Sequence, residues 1–190
     1  MSPADNLYEV PEGLPAPVDD AACDHLPGML RPSVSLRSTT GELMDLPALA
    51  GTSAVYCYPL TGRTRSGLPE GWDEIPGARG CTPQSCAFRD HQAELQVLNA
   101  RVFGLSTQDT GYQQEVAERL HLPFVLLSDE KLEFAGALNL PTFEAEGKTL
   151  IERLTLVVRN GRIEEVVYPV FPPGKNAEEV LEWLSERVAN

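Results

Sequence analysis

Between Ala54 and Val188, short apolar runs alternate with stretches whose apolar residues recur at helical spacing, and this alternation restricts the chain to an α/β architecture. The run Ala54-Val-Tyr-Cys-Tyr58 reads as a buried strand, stopped by Pro59. Gly41 and the segment 43–49 read as a turn and a short element leading into it. Residues 60–80 are dense in Gly and Pro and predict a long loop, of a length that is usually functional or disordered. From Thr82 the pattern changes: Phe88, Leu95 and Leu98 predict a helix to about Leu98. A strand over Arg101–Ser106, a helix over Gly111–Leu120, a strand over Phe124–Ser128 and a helix over Lys131–Leu138 follow. Leu154–Val158 and Arg162–Val167 pair as a hairpin, because Asn160-Gly161 supplies the positive φ angles that a two-residue turn demands. Asn176–Val188 closes the described pattern as a helix capped by Asn176, with Glu178 and Glu179 in its first turn. The expected result is a mixed sheet with helices on both faces.

Pro3, Pro11, Pro15, Pro17, Pro27 and Pro32 break up the first 32 residues, which read as an extended arm that either wraps the domain or trails from it. Of 190 residues, 15 are Lys or Arg and 28 are Asp or Glu, a formal net charge of -13. Such acidity argues against nucleic acid or an anionic membrane surface as partner, since phosphate binding relies on clustered cations. No apolar run approaches the length of a membrane span, and the first ten residues lack the basic and apolar regions of a secretory signal, so the expected location is the cytoplasm. In a reducing compartment the four cysteines, Cys23, Cys57, Cys81 and Cys86, point to catalysis or metal binding rather than a disulfide scaffold.

The informative stretch is Arg79-Gly-Cys81-Thr-Pro-Gln-Ser-Cys86-Ala-Phe-Arg-Asp90. Cys81 stands at or just before the start of a helix, with Pro83 in its first turn; free N–H groups and the positive dipole end there favour thiolate over thiol. Cys57, inside the apolar strand, reads as core packing, and Cys23, beside His25, as an incidental thiol of the arm. His91 and His121 read as helix-surface or helix-end residues, Arg89 as either a solvated partner of Asp90 or a supporting cation near the thiolate, and Trp72 as an anchor of the long loop.

These residues resemble the peroxiredoxins, specifically the bacterioferritin-comigratory or Q-type subgroup, whose Pro-Gly-Cys-Thr-x-x-x-Cys-x-x-Arg-Asp signature aligns with Gly80–Asp90. The resemblance covers residues 26–190 and implies a thioredoxin-like three-layer α/β fold, with residues 1–25 as the arm. It implies a peroxidase that needs no metal or organic cofactor, acting on hydrogen peroxide and organic hydroperoxides, with Cys81 as the peroxidatic cysteine and Cys86 as the resolving one. It also implies a thioredoxin-type thiol reductant as partner, a monomer or homodimer, and a late-strand arginine, matched by Arg153 in Ile151-Glu-Arg-Leu-Thr-Leu-Val157.

The chain departs from the family pattern Pro-x-x-x-Thr/Ser-x-x-Cys, which would put proline and hydroxyl where Glu74 and Ala78 stand. Pro59 follows the strand as expected but lies 22 positions before Cys81, so an insertion of about 15 residues splits the motif. The first candidate for the peroxide-holding hydroxyl is Thr61, with Thr64 and Thr82 behind it. Arg63, Arg65 and Arg79 would add positive charge around the thiolate. Two rival readings remain open: a protein thiol-disulfide oxidoreductase, which would favour a Cys-x-x-Cys pair, and a thiol-based binder of a soft metal drawing on Cys23 and His25.

Overall fold

The computed structural model describes residues 6–46, 49–63 and 66–188. Its centre is a seven-stranded sheet containing β1 (Ser35–Ser38), β2 (Leu43–Asp45), β3 (Thr52–Cys57), β4 (Ala100–Ser106), β5 (Leu126–Ser128), β8 (Leu154–Arg159) and β9 (Arg162–Val167), in the order β2-β1-β5-β4-β3-β8-β9. The pairs β3–β4 and β4–β5 are parallel and the others antiparallel. Because side chains alternate along a strand, the apolar run of β3 serves both faces. Ala54 and Tyr56 pack with Phe88 of α1 (Cys81–Asp90), Leu95 of α2 (Gln92–Val97), Val116 of α3 (Thr110–Arg119) and Val180 of α5 (Asn176–Val188). Val55 and Cys57 pack on the opposite face with Phe134 and Leu138 of α4 (Glu133–Leu138). The three layers are those of a thioredoxin-like α/β fold.

The β8–β9 hairpin closes through Asn160 at φ 48° and Gly161 at φ 81°, with Arg159 opposite Arg162, as the Asn-Gly pair predicts. Several elements differ from the sequence reading. The helix expected to run to Leu98 is divided at His91, whose φ of -97° and ψ of 9° end α1 before α2 begins. The helix expected from Lys131 starts at Glu133, after Leu132 takes a left-handed φ of 57°. Segment 43–49 contributes β2; Pro47 and Ala48, within it, lie outside the described residues. The short element after the Gly41 turn pairs with a strand the sequence does not announce, β1, and a separate hairpin of β6 (Thr142–Ala145) and β7 (Lys148–Ile151) has no counterpart in the sequence reading.

The arm wraps the domain. Arg31 N–H donates to Gly161 O at 2.6 Å, Tyr168 Oη donates to Asp20 Oδ1 at 2.9 Å, and Cys23 and Leu26 enter the core on the α4 face. The insertion has a small core of its own. Trp72, on a short 3-10 turn, is 2% exposed and packs with Leu150 of β7 and Ala78, its ring centroid 6.0 Å from that of Phe143 of β6. Burying such a ring contributes roughly 2–3 kcal/mol, enough to hold the loop against the β6–β7 hairpin.

Candidate active site

Gly80 caps α1 in the left-handed region at φ 104°, and a Cβ there would meet Pro173 Cγ at 2.3 Å. Only glycine fits both demands. Cys81 therefore falls at the first helical position, where the N–H groups of Cys81 and Thr82 have no partner within the helix. The side chain is buried, 3% exposed, on the sheet side of the helix start.

Arg153 stands between β7 and β8 and reaches this sulfur from the far side of the sequence. Its Nη2 donates to Cys81 Sγ at 3.2 Å, to Ala78 O at 3.0 Å and to Arg79 O at 3.2 Å, and its Nε donates to Gly77 O at 3.3 Å. Nη1 donates to Gln84 Oε1. One guanidinium thus holds the end of the insertion and places positive charge beside the sulfur. Gln84 is held in turn: its Nε2 donates to Asn176 Oδ1 at 2.9 Å, and the same oxygen accepts from Thr155 Oγ1 at 2.6 Å. Asn176, expected to cap its own helix, instead spends that oxygen on the bonds that orient Gln84.

Cys86 lies half-buried on α1, and all four cysteines are free thiols. On an intact helix, Cα atoms five residues apart are roughly 8–9 Å apart, whereas a disulfide requires about 4.4–6.8 Å. Joining Cys81 to Cys86 therefore requires the start of α1 to unwind. Burial pushes the Cys86 thiol up, with the nearby Arg89 guanidinium opposing it. Between the two cysteines the helix is pinned at Ser85, whose Oγ accepts from Tyr56 Oη at 3.0 Å; one turn on, the Phe88 ring stacks on Tyr56 at 4.6 Å.

The space in front of the Cys81 sulfur is walled by Leu7, Leu60, Gly62, Leu68, Trp72 and Thr82, among others. Thr61 occupies a different place from the one expected of it. Its hydroxyl donates to Gln108 Oε1 at 3.0 Å and its N–H to the same oxygen at 3.1 Å, while its carbonyl accepts from Tyr112 Oη at 2.9 Å. The neighbours Leu60 and Gly62 line the pocket; the Thr61 hydroxyl is committed to anchoring the strand end, and Thr82 is the threonine in the wall. Thr64 and Arg65 lie outside the described residues. Of the other two cations expected around the thiolate, Arg79 lines the pocket and also pairs with Asp73 at 3.0 Å, whereas Arg63 lies over the Tyr112 ring at 3.8 Å.

The redoxin family model matches residues 27–181 of the chain. Peroxiredoxin Q of Gentiana triflora chloroplasts is 31% identical over 159 residues, covering 83% of this chain and 65% of the relative. The chloroplastic peroxiredoxin Q of Populus jackii is 32% identical, covering 83% and 67%. The chain belongs to the peroxiredoxin Q family. It spans about two thirds of the length of these curated relatives. Among solved structures, the peroxidoxin BcpB of Mycobacterium tuberculosis superposes with a TM-score of 0.69 at 24% identity, covering 85% of this chain and 98% of that one. Peroxiredoxin Q of Xanthomonas campestris gives 0.63 at 21%, covering 91% and 97%, and both share the thioredoxin-like fold.

Within this family member the remaining thiols are placed away from the pocket. Cys57 is fully buried in the core on the α4 face and burial pushes its thiol up. Cys23 joins the same core; burial, reinforced by Glu152 and Asp20, pushes its thiol up to about 12. His25 Nε2 is 2.8 Å from Leu138 O, and among the described residues no three His, Cys, Asp or Glu side chains converge to hold a metal. His91 sits on the surface against Glu94, and Arg89 bonds Leu120 O and Asp90. Gln84, Asn176 and Tyr56 make site contacts that the sequence alone does not announce. The signal available for Gln84 was its position three residues after Cys81, on the same helical face.

Proposed function

We propose that this protein is a thiol peroxidase that reduces hydrogen peroxide and organic hydroperoxides through Cys81. The observation that carries the reading is the Arg153 Nη2 donor 3.2 Å from a cysteine sulfur at the first residue of a helix. The Cys81 thiolate attacks one peroxide oxygen, the O–O bond breaks, and its electron pair leaves on the second oxygen, which takes a proton and departs as water or an alcohol. The guanidinium and the helix-start N–H groups stabilise that departing charge. Cys81 is left as a sulfenic acid. The Cys86 thiolate then attacks the Cys81 sulfur, expelling the oxygen as water and forming the S–S bond. An external dithiol of the thioredoxin type supplies two electrons by exchange and restores both thiols. Thr82 lines the same pocket as Cys81.

The test is one equivalent of peroxide added to chelator-treated protein, followed by thiol counting and peptide mass spectrometry. The expected product is a Cys81–Cys86 disulfide with Cys23 and Cys57 still free, and Cys86→Ser is expected to stop after one turnover with Cys81 as sulfenic acid. An unreacted dithiol, or a disulfide through Cys23, would overturn the reading.

The pinning of Ser85 gives a second expectation. The Tyr56 hydrogen bond exists only while α1 is intact, so Tyr56→Phe removes about 1 kcal/mol from the dithiol form alone. The Cys81–Cys86 midpoint should move about 20 mV more negative. Redox titration against a dithiol buffer measures it, and a shift to more positive potential would refute the assignment.

A further inference from the structure

The N-terminal arm, which begins outside the stretch matched by the family model, lies across the thiol pocket. Leu7 is buried at 8% exposure and packs on Gly62, where an added Cβ would meet its Cδ2 at 2.7 Å. Three residues on, Val10 Cγ2 approaches Gly80 so closely that a Cβ there would lie 3.2 Å away. Arg79 Nη2 donates to Asn6 O at 2.9 Å. Further along, Asp20 on Tyr168 and Arg31 on Gly161 fix the arm to the domain. With Leu7 in place the cavity at the Cys81 sulfur measures about 10 Å³, at or below the roughly 10–15 Å³ that a single water needs. In this conformation Cys81 is 3% exposed.

Two of the contacts that hold the segment are Arg79 and Gly80, the residue before the helix cap and the cap itself. These are the groups that must move when the helix start unwinds. We propose that residues 6–10 form a redox-released strap, which seals the pocket in the dithiol form and detaches when Cys81 and Cys86 join. The release half rests on the disulfide reading above, while the sealing half stands on the packing alone. The strap limits entry of oxidant to the moments when it lifts, and its departure after oxidation uncovers the thiol pair for the reductant.

The test uses the full chain in two arms. In the first, a bulky maleimide is added to the dithiol form without peroxide, and labelling of each cysteine is read by mass spectrometry. Leu7→Asp is expected to label Cys81 at least tenfold faster than wild type, with the milder Leu7→Ala between them. Cys57 reports folding, because it stays unlabelled while the core is closed. Equal Cys81 labelling in wild type and Leu7→Ala, with Cys57 protected, would overturn the seal. In the second arm, a glutamyl endopeptidase is applied to the dithiol form and to protein whose Cys81–Cys86 bond has been installed with diamide. Cleavage after Glu9 is expected at least tenfold faster in the disulfide form, and equal rates would overturn release. Failure of the peroxidase reading would look different: peroxide would leave both thiols free while Leu7→Asp still unmasked Cys81.

Discussion

Cys81→Ser is expected to reduce peroxide consumption to the uncatalysed background while leaving the fold in place. Serine keeps the side-chain shape, and its oxygen can accept the Arg153 bond that the sulfur accepts now. The fall is expected to be complete because no other cysteine can substitute. Cys23, with its thiol pushed up to about 12, is thiolate in only ~10⁻⁵ of molecules at pH 7. Cys57 is fully buried against α4, away from the pocket, and burial pushes up the Cys86 thiol as well. Steady-state peroxide assays with a dithiol donor, alongside a thermal melt, check both halves. Residual turnover above background would move the nucleophile to another thiol.

Arg153→Met is the second large effect, and it has a catalytic and a structural part. Losing a fixed donor at the departing charge is worth roughly 10²–10³ in rate, so the rate constant for peroxide should fall by that factor. The same side chain satisfies the carbonyls of Gly77, Ala78 and Arg79 and the Gln84 amide oxygen. Leaving these groups unpaired should cost about 2–4 kcal/mol of stability and lower the melting temperature by roughly 5–15 °C. Arg153→Lys separates the parts. A lysine restores charge near the sulfur but cannot bond several acceptors through a planar fork, so it should recover at least tenfold in rate while leaving the melting temperature low. Stopped-flow oxidation at a temperature below the variants' melting transitions reads the rate. A Met variant within about threefold of wild type would remove Arg153 from the reacting atoms.

The parts of this molecule that could be read from its sequence are those with strong local chemistry. Asn160-Gly161 names its own turn, the Cys81-Thr-Pro sequence marks the start of α1, and the apolar run of β3 declares a strand buried on both faces. The β1–β2 and β6–β7 hairpins were illegible because their strands are three or four residues long and largely polar outside one or two positions. The second of these did carry a cue, since Glu146 and Gly147 form its tight turn with φ of 47° and 70°. Arg153 was found only through resemblance. The chain Arg153–Gln84–Asn176–Thr155 joins residues up to 92 positions apart, a separation that spacing rules cannot bridge. Thr61 stands two residues after Pro59, and proximity in sequence does not say to which side a hydroxyl turns.

The clamping of both ends of the 60–80 segment, by Gln108 and Tyr112 at Thr61 and by Arg153 at residues 77–79, makes the catalytic geometry indifferent to the number of residues in between. Lengthening a closed loop costs only about 0.6 kcal/mol for each doubling, less than the buried indole of Trp72 contributes. A lineage carrying such anchors is free to gain or lose material there without retuning its nucleophile, so this segment is where new substrate preferences can evolve and where a designer can graft foreign sequence.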